Sequence, residues 1–306
     1  MKLGFVSAIL DEWNYEDMMD FASEKGFACV EVACWPIEKA ERRYAGVSHI
    51  DVEKILDDDN YANHVLNYSA EKQVAISSLA YYPNILDQNI DKRNTAIKHL
   101  KKVILASHKL GVGMVTTFIG KDQNKTVEEN LELIKVIWPS IIQLAEENEV
   151  KIAIENCPMY FGVDQWPGGQ NLMTTPANWK KVFEILPSKY LGINYDPSHF
   201  VWQMIDYIKP IYEFSNKIFH VHCKDIKIYQ DRLQQVGIMA YPLEFMSPKL
   251  PGLGDVDWGK YISAMTDIGY DGYVCIEAED KVFEGSKEKI EQSLILSQRY
   301  LQQFVI

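Results

Sequence analysis

Eight short, mostly apolar runs alternate with amphipathic segments along the chain, and this alternation constrains the fold more than any other feature. The runs are KLGFVSA, CVEVACW, AISSLAYY, MVTTFIG, KIAIENC, LGINYDP, IFHVHCKD and GYVCIEAED. Strands this apolar, each followed by a helical segment, predict a parallel sheet that is covered by helices. Eight such units in 306 residues fit a closed barrel better than an open sheet. We therefore predict the α/β class, with residues 1–306 forming one (β/α)₈ TIM barrel domain.

Local signals along the chain support this prediction. No G-x-G-x-x-G sequence follows the first run, which removes the main argument for an open, dinucleotide-binding sheet. Thr126 stands three residues before Glu129 at the start of a helical pattern, which predicts a capping box. The helical segment DKRNTAIKHLKKVILASHKLG ends in Gly111, a typical residue after a helix C-terminus.

The charge of the chain limits its partners. An excess of acidic residues gives a net charge of -12 and a pI near 5.1. We expect no nucleic-acid partner and no anionic membrane partner, because both need a basic surface. No apolar stretch reaches the roughly 20 residues of a membrane span, and the first apolar run is too short for a signal peptide. The five cysteines form no C-x-x-C pair and lie in or beside apolar runs, which is typical of buried thiols in a cytoplasmic protein.

Acidic and histidine side chains collect at the ends of four consecutive runs. The four residues, from the fifth run to the eighth, are Glu155, Asp196, His222 and Glu277. Since the carboxyl ends of barrel strands form the active-site face, these side chains are candidates for one site. Three carboxylates and one imidazole suit Mn²⁺ or Mg²⁺ better than zinc. A single strand-end acid is more often an ion-pair or capping residue, so it is the set of four that argues for a metal.

The motifs ENCP, DPSH, HVHCKD and CIEAED resemble those of the xylose-isomerase-like TIM barrels, in particular the sugar phosphate isomerase/epimerase family that includes ketose 3-epimerases. The resemblance covers essentially the whole chain and includes PGLGDVDW. It implies a divalent ion such as Mn²⁺ and four ligands, namely Glu155, Asp196, His222 and Glu277. It also implies a substrate contact at His199. Lys224 or Asp225 would contact the substrate directly or support the residues that do.

The same superfamily includes endonuclease IV, which binds three zinc ions with extra histidines on the third and fourth strands. Here those strand ends read SLAYYPN and TTFIG and contain no histidine. The trinuclear site is therefore missing, which argues against DNA repair and agrees with the acidic charge.

The activity implied by the resemblance is removal of a proton next to a carbonyl group of a sugar. A divalent ion would polarise the carbonyl and stabilise the enediolate that forms. One carboxylate would act as base and a second would return the proton, as in a sugar isomerase or epimerase. The resemblance gives these roles to Glu155 and Glu277. Asn156 either orients Glu155 or caps the junction of strand and loop, and His220 is expected to pack near the site without binding the ion.

Two long aromatic loops bear on the size of the substrate. YFGVDQWPGGQN follows the fifth strand and IKIYQDRLQQVGIMAYPLEFMSPKL follows the seventh, both on the active-site face. Trp166 and Tyr241 in these loops are candidates for stacking on a glycoside or another bulky sugar derivative. Alternatively, the aromatic residues pack the loops together or form the interface of a homo-oligomer.

Two other functions stay open on the sequence. Some members of the family resemble the catalytic subunits of C-glycoside deglycosidases, which act on 3-oxo-glycosides with a small β-rich partner subunit. In such a carbon–carbon lyase the same proton leaves first, and the aglycone then departs by elimination. A function of another class is that of a non-catalytic sugar-binding barrel. The pairing of Glu155 with Glu277 argues against it, because binding alone needs no acid and base.

Overall fold

Eight parallel strands form a closed barrel in the computed structural model, which describes residues 1–37, 46–160 and 168–305. The strands in chain order are β1 (Lys2–Val6), β2 (Cys29–Ala33), β3 (Ala75–Ala80), β4 (Met114–Thr117), β5 (Lys151–Glu155), β6 (Leu191–Tyr195), β7 (Ile218–Cys223), β8 (Asp225–Ile228), β9 (Met246–Lys249) and β10 (Tyr273–Ile276). Around the barrel the order is β1, β10, β7, β6, β5, β4, β3 and β2, while β8 and β9 form a separate ribbon. Each of the eight predicted runs contains one barrel strand, so the predicted (β/α)₈ fold is confirmed.

Helices follow the barrel strands. The described ones are α1 (Tyr15–Glu24), α2 (Val52–Asp57), α3 (Asp59–Lys72), α4 (Ile90–Lys109), α5 (Val127–Ile137), α6 (Pro139–Glu147), α7 (Pro176–Ile185), α8 (Ser198–Trp202), α9 (Lys209–Glu213), α10 (Gln230–Val236), α11 (Trp258–Asp267) and α12 (Lys287–Leu301). Short 3₁₀ turns lie at Ser7–Ile9, Ser215–Lys217, Pro242–Glu244 and Lys281–Phe283. Within the described ranges, no helix combines the length and the apolar character that a bilayer span requires.

The helical segment before β5 shows how local sequence sets helix ends. The predicted capping box at Thr126 is confirmed, since its hydroxyl accepts from the Glu129 N–H at 3.2 Å and Glu129 accepts from the Thr126 N–H at 2.8 Å. The segment TVEENLELIKVIWPSIIQLAEENEV has the pattern of one helix, but the structure has two, α5 and α6. Pro139 begins α6, where its missing N–H costs no hydrogen bond.

The segment between β7 and α11 contains structure that the sequence analysis treated as one long loop. β8 pairs with β9 in an antiparallel ribbon, and α10 lies between the two strands. Pro248 is tolerated in β9 because a two-stranded ribbon leaves one edge of each strand free of ladder hydrogen bonds. The ribbon places Met246, Ser247 and Pro248 at the mouth of the barrel, above the carboxyl ends of its strands.

The barrel wall is buried on both faces, as expected of strands that helices cover. All five residues of β2 and all five of β6 are buried, including the polar Glu31 and Asn194. Packing is tight between β1 and β2, where a Cβ on Gly4 would lie 2.1 Å from the carbonyl oxygen of Cys29. All five cysteines are free thiols, and Cys157 is the one that is not fully buried. Polar side chains inside so dense a wall need partners or a function.

Candidate active site and metal centre

The four strand-end residues meet at the carboxyl end of the barrel. Glu155 ends β5, Asp196 follows β6, His222 lies in β7 and Glu277 follows β10. Because β5, β6, β7 and β10 are consecutive in the barrel, their ends lie side by side. His222 Nδ1 lies 3.5 Å from Glu155 Oε1 and 3.4 Å from Glu277 Oε2. These three side chains offer ligand atoms that all lie within 4.8 Å of one another.

Asp196 joins this group through two basic neighbours. Its Oδ2 lies 3.3 Å from His199 Nε2 and 3.3 Å from Lys224 Nζ. His199 Nε2 in turn lies 3.6 Å from Glu155 Oε1. The structure thus brings together all four residues that the sequence proposes as ligands, with His199 and Lys224 directly beside them.

Several atoms of this group are buried without a hydrogen-bond partner among the described residues. They are Glu155 Oε1, Asp196 Oδ2, His199 Nε2 and His222 Nδ1. Unpaired buried polar atoms are costly, so a cluster of them is suited to binding a cation or a polar ligand. Ligand atoms about 2.1 Å from one ion and at right angles to each other are about 3.0 Å apart. The separations from His222 Nδ1 are only slightly larger, and the donor set therefore fits a hard divalent ion.

The charges of the site are unevenly distributed. Burial raises the pKa of Glu155, and the neighbouring Glu277 raises it further. Burial also raises the pKa of Asp196, against the effect of Lys224. Burial would also raise the pKa of Glu277. The positive charges of Lys224 and His222 outweigh this effect and hold that pKa well below its usual range. One carboxylate of the proposed acid–base pair is thus held ionised, while its partner takes up a proton more readily.

Lys224 is the central cation of the described site. Its Nζ donates to Glu277 Oε2 at 2.8 Å and lies 3.4 Å from Glu279 Oε2. Burial alone would lower the pKa of this ammonium, but Glu277 and Glu279 raise it well above its usual range. Glu279 is a residue that the sequence analysis did not select, although it lies in the quoted motif CIEAED. The two carboxylates two residues apart share one buried cation.

His199 lies on α8 and lines the cavity above the carboxylates. Burial lowers its pKa to about 4, and the positive charge of Lys224 adds to this effect. The ring is therefore neutral near pH 7. A neutral imidazole next to Glu155 and Asp196 can exchange hydrogen bonds with a substrate hydroxyl, which is the role the sequence gave it.

Asp225, the other candidate in HVHCKD, lies in a different environment. Its carboxylate accepts from the N–H groups of Gly252 and Val256 at 2.9 and 3.0 Å and from Trp258 Nε1 at 2.9 Å. A Cβ on Gly254 would lie 2.1 Å from Asp225 Oδ1, so the loop wraps tightly around the carboxylate. Asp225 therefore anchors the loop after the ribbon, and its place in the site is one of support.

The two aromatic candidates are placed differently. Tyr241 lines the cavity at its mouth. Trp166 lies outside the described residues.

Asn156 connects the ends of two strands. Its Nδ2 donates to the Asp196 carbonyl and its Oδ1 accepts from the Asp196 N–H, both at 2.8 Å. From its position in the sequence, Asn156 was expected either to orient Glu155 or to cap the junction of strand and loop. The structure shows a third arrangement, in which the side chain fixes the backbone of the neighbouring proposed ligand.

A buried network lies behind His222 and was not predicted. Glu31 on β2 accepts from His222 Nε2 at 2.9 Å and from the Tyr82 hydroxyl at 2.6 Å. Burial would lower the pKa of His222, but Glu31 and Glu155 raise it well above its usual range. His220 bonds to Asn194 and lies behind the four residues, as expected of a packed histidine. A lone acid inside the apolar run CVEVACW was the sequence signal for Glu31.

Glu155, Glu277, His199 and Lys224 line a cavity of about 550 Å³. Its walls combine aliphatic and charged side chains with the aromatic residues Trp35, Tyr82, Phe118, Tyr160, Trp202 and Tyr241. A cavity of this size, with few polar groups at its floor, is typical of a site for a small organic molecule.

Comparisons with known proteins agree with this architecture. The profile of the family described as "Xylose isomerase-like TIM barrel" matches residues 19–300. Protein YfiH of Bacillus subtilis is 24% identical over 312 residues, a match that covers 92% of this chain and 93% of YfiH. Inosose dehydratase of Clostridium tetani is 27% identical over 202 residues, which cover 62% of this chain and 61% of the dehydratase.

Two solved structures illustrate the likeness in fold. The IolI protein with a bound zinc atom superposes with a TM-score of 0.71 at 18% identity, covering 99% of each chain. The 3-keto-D-glucoside 4-epimerase YcjR of E. coli superposes with a TM-score of 0.70 at 15% identity, again over 99% of each chain. At these identities the two structures show a common fold and no more.

Proposed function

The chain belongs to the xylose isomerase-like TIM barrel family, and on that basis we propose that it is a divalent-metal-dependent enzyme acting on a sugar or sugar derivative. It removes a proton from the carbon next to a carbonyl group and returns it, as an isomerase or epimerase does. The observation that carries this proposal is the group of Glu155, Asp196, His222 and Glu277, in which Glu155 Oε1, Asp196 Oδ2 and His222 Nδ1 are buried without a hydrogen-bond partner among the described residues.

These four residues are the ligands in this proposal, and Mn²⁺ is the ion that their three carboxylates favour. When bound, a divalent ion supplies Lewis-acid polarisation of the substrate carbonyl. The similar IolI structure contains a zinc atom, which supports a divalent ion in a protein of this fold.

The side chains divide the proton chemistry between them. Glu277, which is held ionised, takes the proton from the carbon next to the carbonyl, and Glu155, whose pKa is raised by burial, returns one from its protonated form. Lys224 lies 2.8 Å from Glu277 and keeps that carboxylate ionised between turnovers. His199 orients a substrate hydroxyl, while the aromatic walls exclude water and hold the ring of the substrate. Such acid–base pairs contribute roughly 10²- to 10⁴-fold each to the rate.

A second candidate is elimination from the same intermediate. The match to inosose dehydratase favours it, as does the position of Lys224 between Glu277 and Glu279, where an ammonium can protonate a leaving group. The leaving group would be water, as in a dehydratase, or the aglycone of a 3-oxo-glycoside. Release of an aglycone by a chain of this kind would need the small partner subunit considered above.

The test is incubation of the metal-loaded protein in D₂O with a panel of ketoses, inososes and 3-oxo-glycosides. We expect deuterium at the carbon next to the carbonyl in at least one substrate, seen by NMR or mass spectrometry. An epimerised sugar supports the first candidate, and loss of water or aglycone supports the second.

The matched control is Glu277→Gln, which keeps the shape of the side chain but cannot exchange a proton. Deuterium uptake should fall to background in this variant. Tight binding of a sugar without any exchange by the wild type would instead identify a non-catalytic sugar-binding barrel and contradict the proposal.

A further inference from the structure

The network behind His222 assigns a task to Glu31. This carboxylate lies on β2, and in the barrel β1 and β10 separate β2 from β7, which carries His222. Glu31 is fully buried and reaches across the interior of the barrel. We propose that Glu31 is a positioning residue, which holds the Nε2–H of His222 so that Nδ1 is the nitrogen available to a divalent ion. This inference rests on the metal site of the proposed function.

The contacts of the imidazole fix its orientation. His222 Nε2 lies 2.9 Å from Glu31 Oε2. Because an ionised carboxylate can only accept, Nε2 is the donor in this hydrogen bond. The other nitrogen, Nδ1, faces Glu155 and Glu277 and has no hydrogen-bond partner among the described residues. Histidine ligands of metals usually donate their second N–H to such an acceptor, which sets the tautomer and raises the basicity of the ligand.

Glu31 is itself held by hydrogen bonds to both of its carboxylate oxygens. Its Oε1 accepts from the Tyr82 hydroxyl at 2.6 Å. The Tyr82 oxygen accepts from Asn194 Nδ2 at 3.1 Å, and Asn194 Oδ1 lies 3.0 Å from His220 Nδ1. These hydrogen bonds connect residues of β2, β6 and β7 with Tyr82, which lies just after β3. The carboxylate is therefore fixed before any ion binds.

Asn194 makes the role of Glu31 testable. Its amide N–H can donate to His222 Nε2, whereas Glu31 accepts from that nitrogen. Asn194 Nδ2 lies 2.9 Å from His222 Nε2. Without the carboxylate, this amide N–H becomes the natural partner of Nε2, which must then accept. In the neutral form of the ring, the proton would then lie on Nδ1, where it faces the metal site. An ion could bind Nδ1 only after the proton returned to Nε2, and this would break the hydrogen bond from the Asn194 amide.

The experiment compares Mn²⁺ affinity by competition with a chelator in the wild type, Glu31→Met and Glu31→Gln. Methionine has a similar length and no acceptor oxygen, so we expect the affinity to fall about 10- to 100-fold, the usual effect of losing such a support. Glutamine keeps an acceptor oxygen but no charge, and we expect a value between the other two. Tyr82→Phe, which leaves the carboxylate intact, should change the affinity by only a few-fold.

NMR of the zinc-loaded proteins provides a readout that does not depend on activity. We expect a far-downfield, slowly exchanging His222 Nε2–H signal in the wild type and in Glu31→Gln, and its loss or upfield shift in Glu31→Met. Thermal unfolding of the metal-free variants checks that they fold. If Glu31→Met does not fold, Glu31→Gln decides through its affinity and its N–H signal.

Two results would overturn the inference. One is a Glu31→Met variant that folds and binds Mn²⁺ within about twofold of the wild type. The other is a Glu31→Gln affinity as low as that of Glu31→Met with the Nε2–H signal retained, since the carboxylate would then act through its charge alone. A wild type that binds no divalent ion would instead remove the proposed function, and this outcome is distinct from both.

Discussion

Replacing Asn156 with alanine tests how strongly the fold supports the site. The side chain makes two hydrogen bonds of 2.8 Å to the backbone of Asp196, and both residues are fully buried. Each bond contributes about 1 kcal/mol, and each buried backbone group left without a partner costs about 1–3 kcal/mol. We expect the free energy of unfolding of the metal-free protein to fall by about 2–4 kcal/mol. Because Asp196 is a proposed ligand, the affinity for Mn²⁺ should fall as well.

Urea unfolding in the presence of a chelator measures the stability, and titration with Mn²⁺ measures the affinity. Asn148→Ala is a matched control, because it removes one amide hydrogen bond of 2.8 Å, to Leu144 at the partly buried C-terminus of α6. This control should cost less than about 1 kcal/mol and leave the affinity unchanged. If the two variants lose the same stability and bind Mn²⁺ equally well, Asn156 does not hold the two strand ends together.

Three further predictions concern the site. Glu277→Gln should keep the fold and much of the metal affinity but lose turnover by orders of magnitude in a steady-state assay; near-normal turnover would contradict its proton-transfer role. Since the pKa of His199 is lowered to about 4, the unfolded chain protonates first as the pH falls. In the metal-free protein the stability from neutral His199, up to about 3 kcal/mol, is present above about pH 6.5 and is lost towards pH 4. His199→Asn should flatten that part of the urea stability curve, and an unchanged slope would refute this origin. Trp166→Ala and Tyr241→Ala should each raise KM several-fold to tenfold for a bulky glycoside at constant metal content; a changed mass in light scattering would place them in a subunit contact.

The sequence predicted the barrel because its signal is repeated eight times. Each strand is an apolar run and each helix a periodic one, so a local error at one unit does not change the fold. The site residues at the strand ends were predictable for a related reason, since the carboxyl ends of all barrel strands lie at one face, where the active site is found. Thus Glu155 and Glu277 were candidates before any contact between them was known.

The supporting residues were harder to predict, because their roles depend on contacts across the barrel. Glu31 lies 191 positions from His222 in the chain, and nothing in the sequence pairs them. The sequence did indicate that Glu31 has a partner, because a buried acid within the apolar run CVEVACW needs one as much as Glu155 does. The ribbon of β8 and β9 was missed because its strands have four residues each and one contains a proline. The resemblance of HVHCKD left Asp225 as a substrate contact or a support, and its supporting role became clear only from its bonds to Gly252, Val256 and Trp258, which are distant in the chain.

The most direct test of the account is a titration of metal-free protein with Mn²⁺, followed by calorimetry. We predict one ion bound per chain in the wild type. Asp196→Ala and His222→Ala should each abolish binding or weaken it by orders of magnitude while remaining folded. A wild type that takes up no stoichiometric ion, or folded variants that bind as well as the wild type, would contradict the claim that these strand ends form a metal centre.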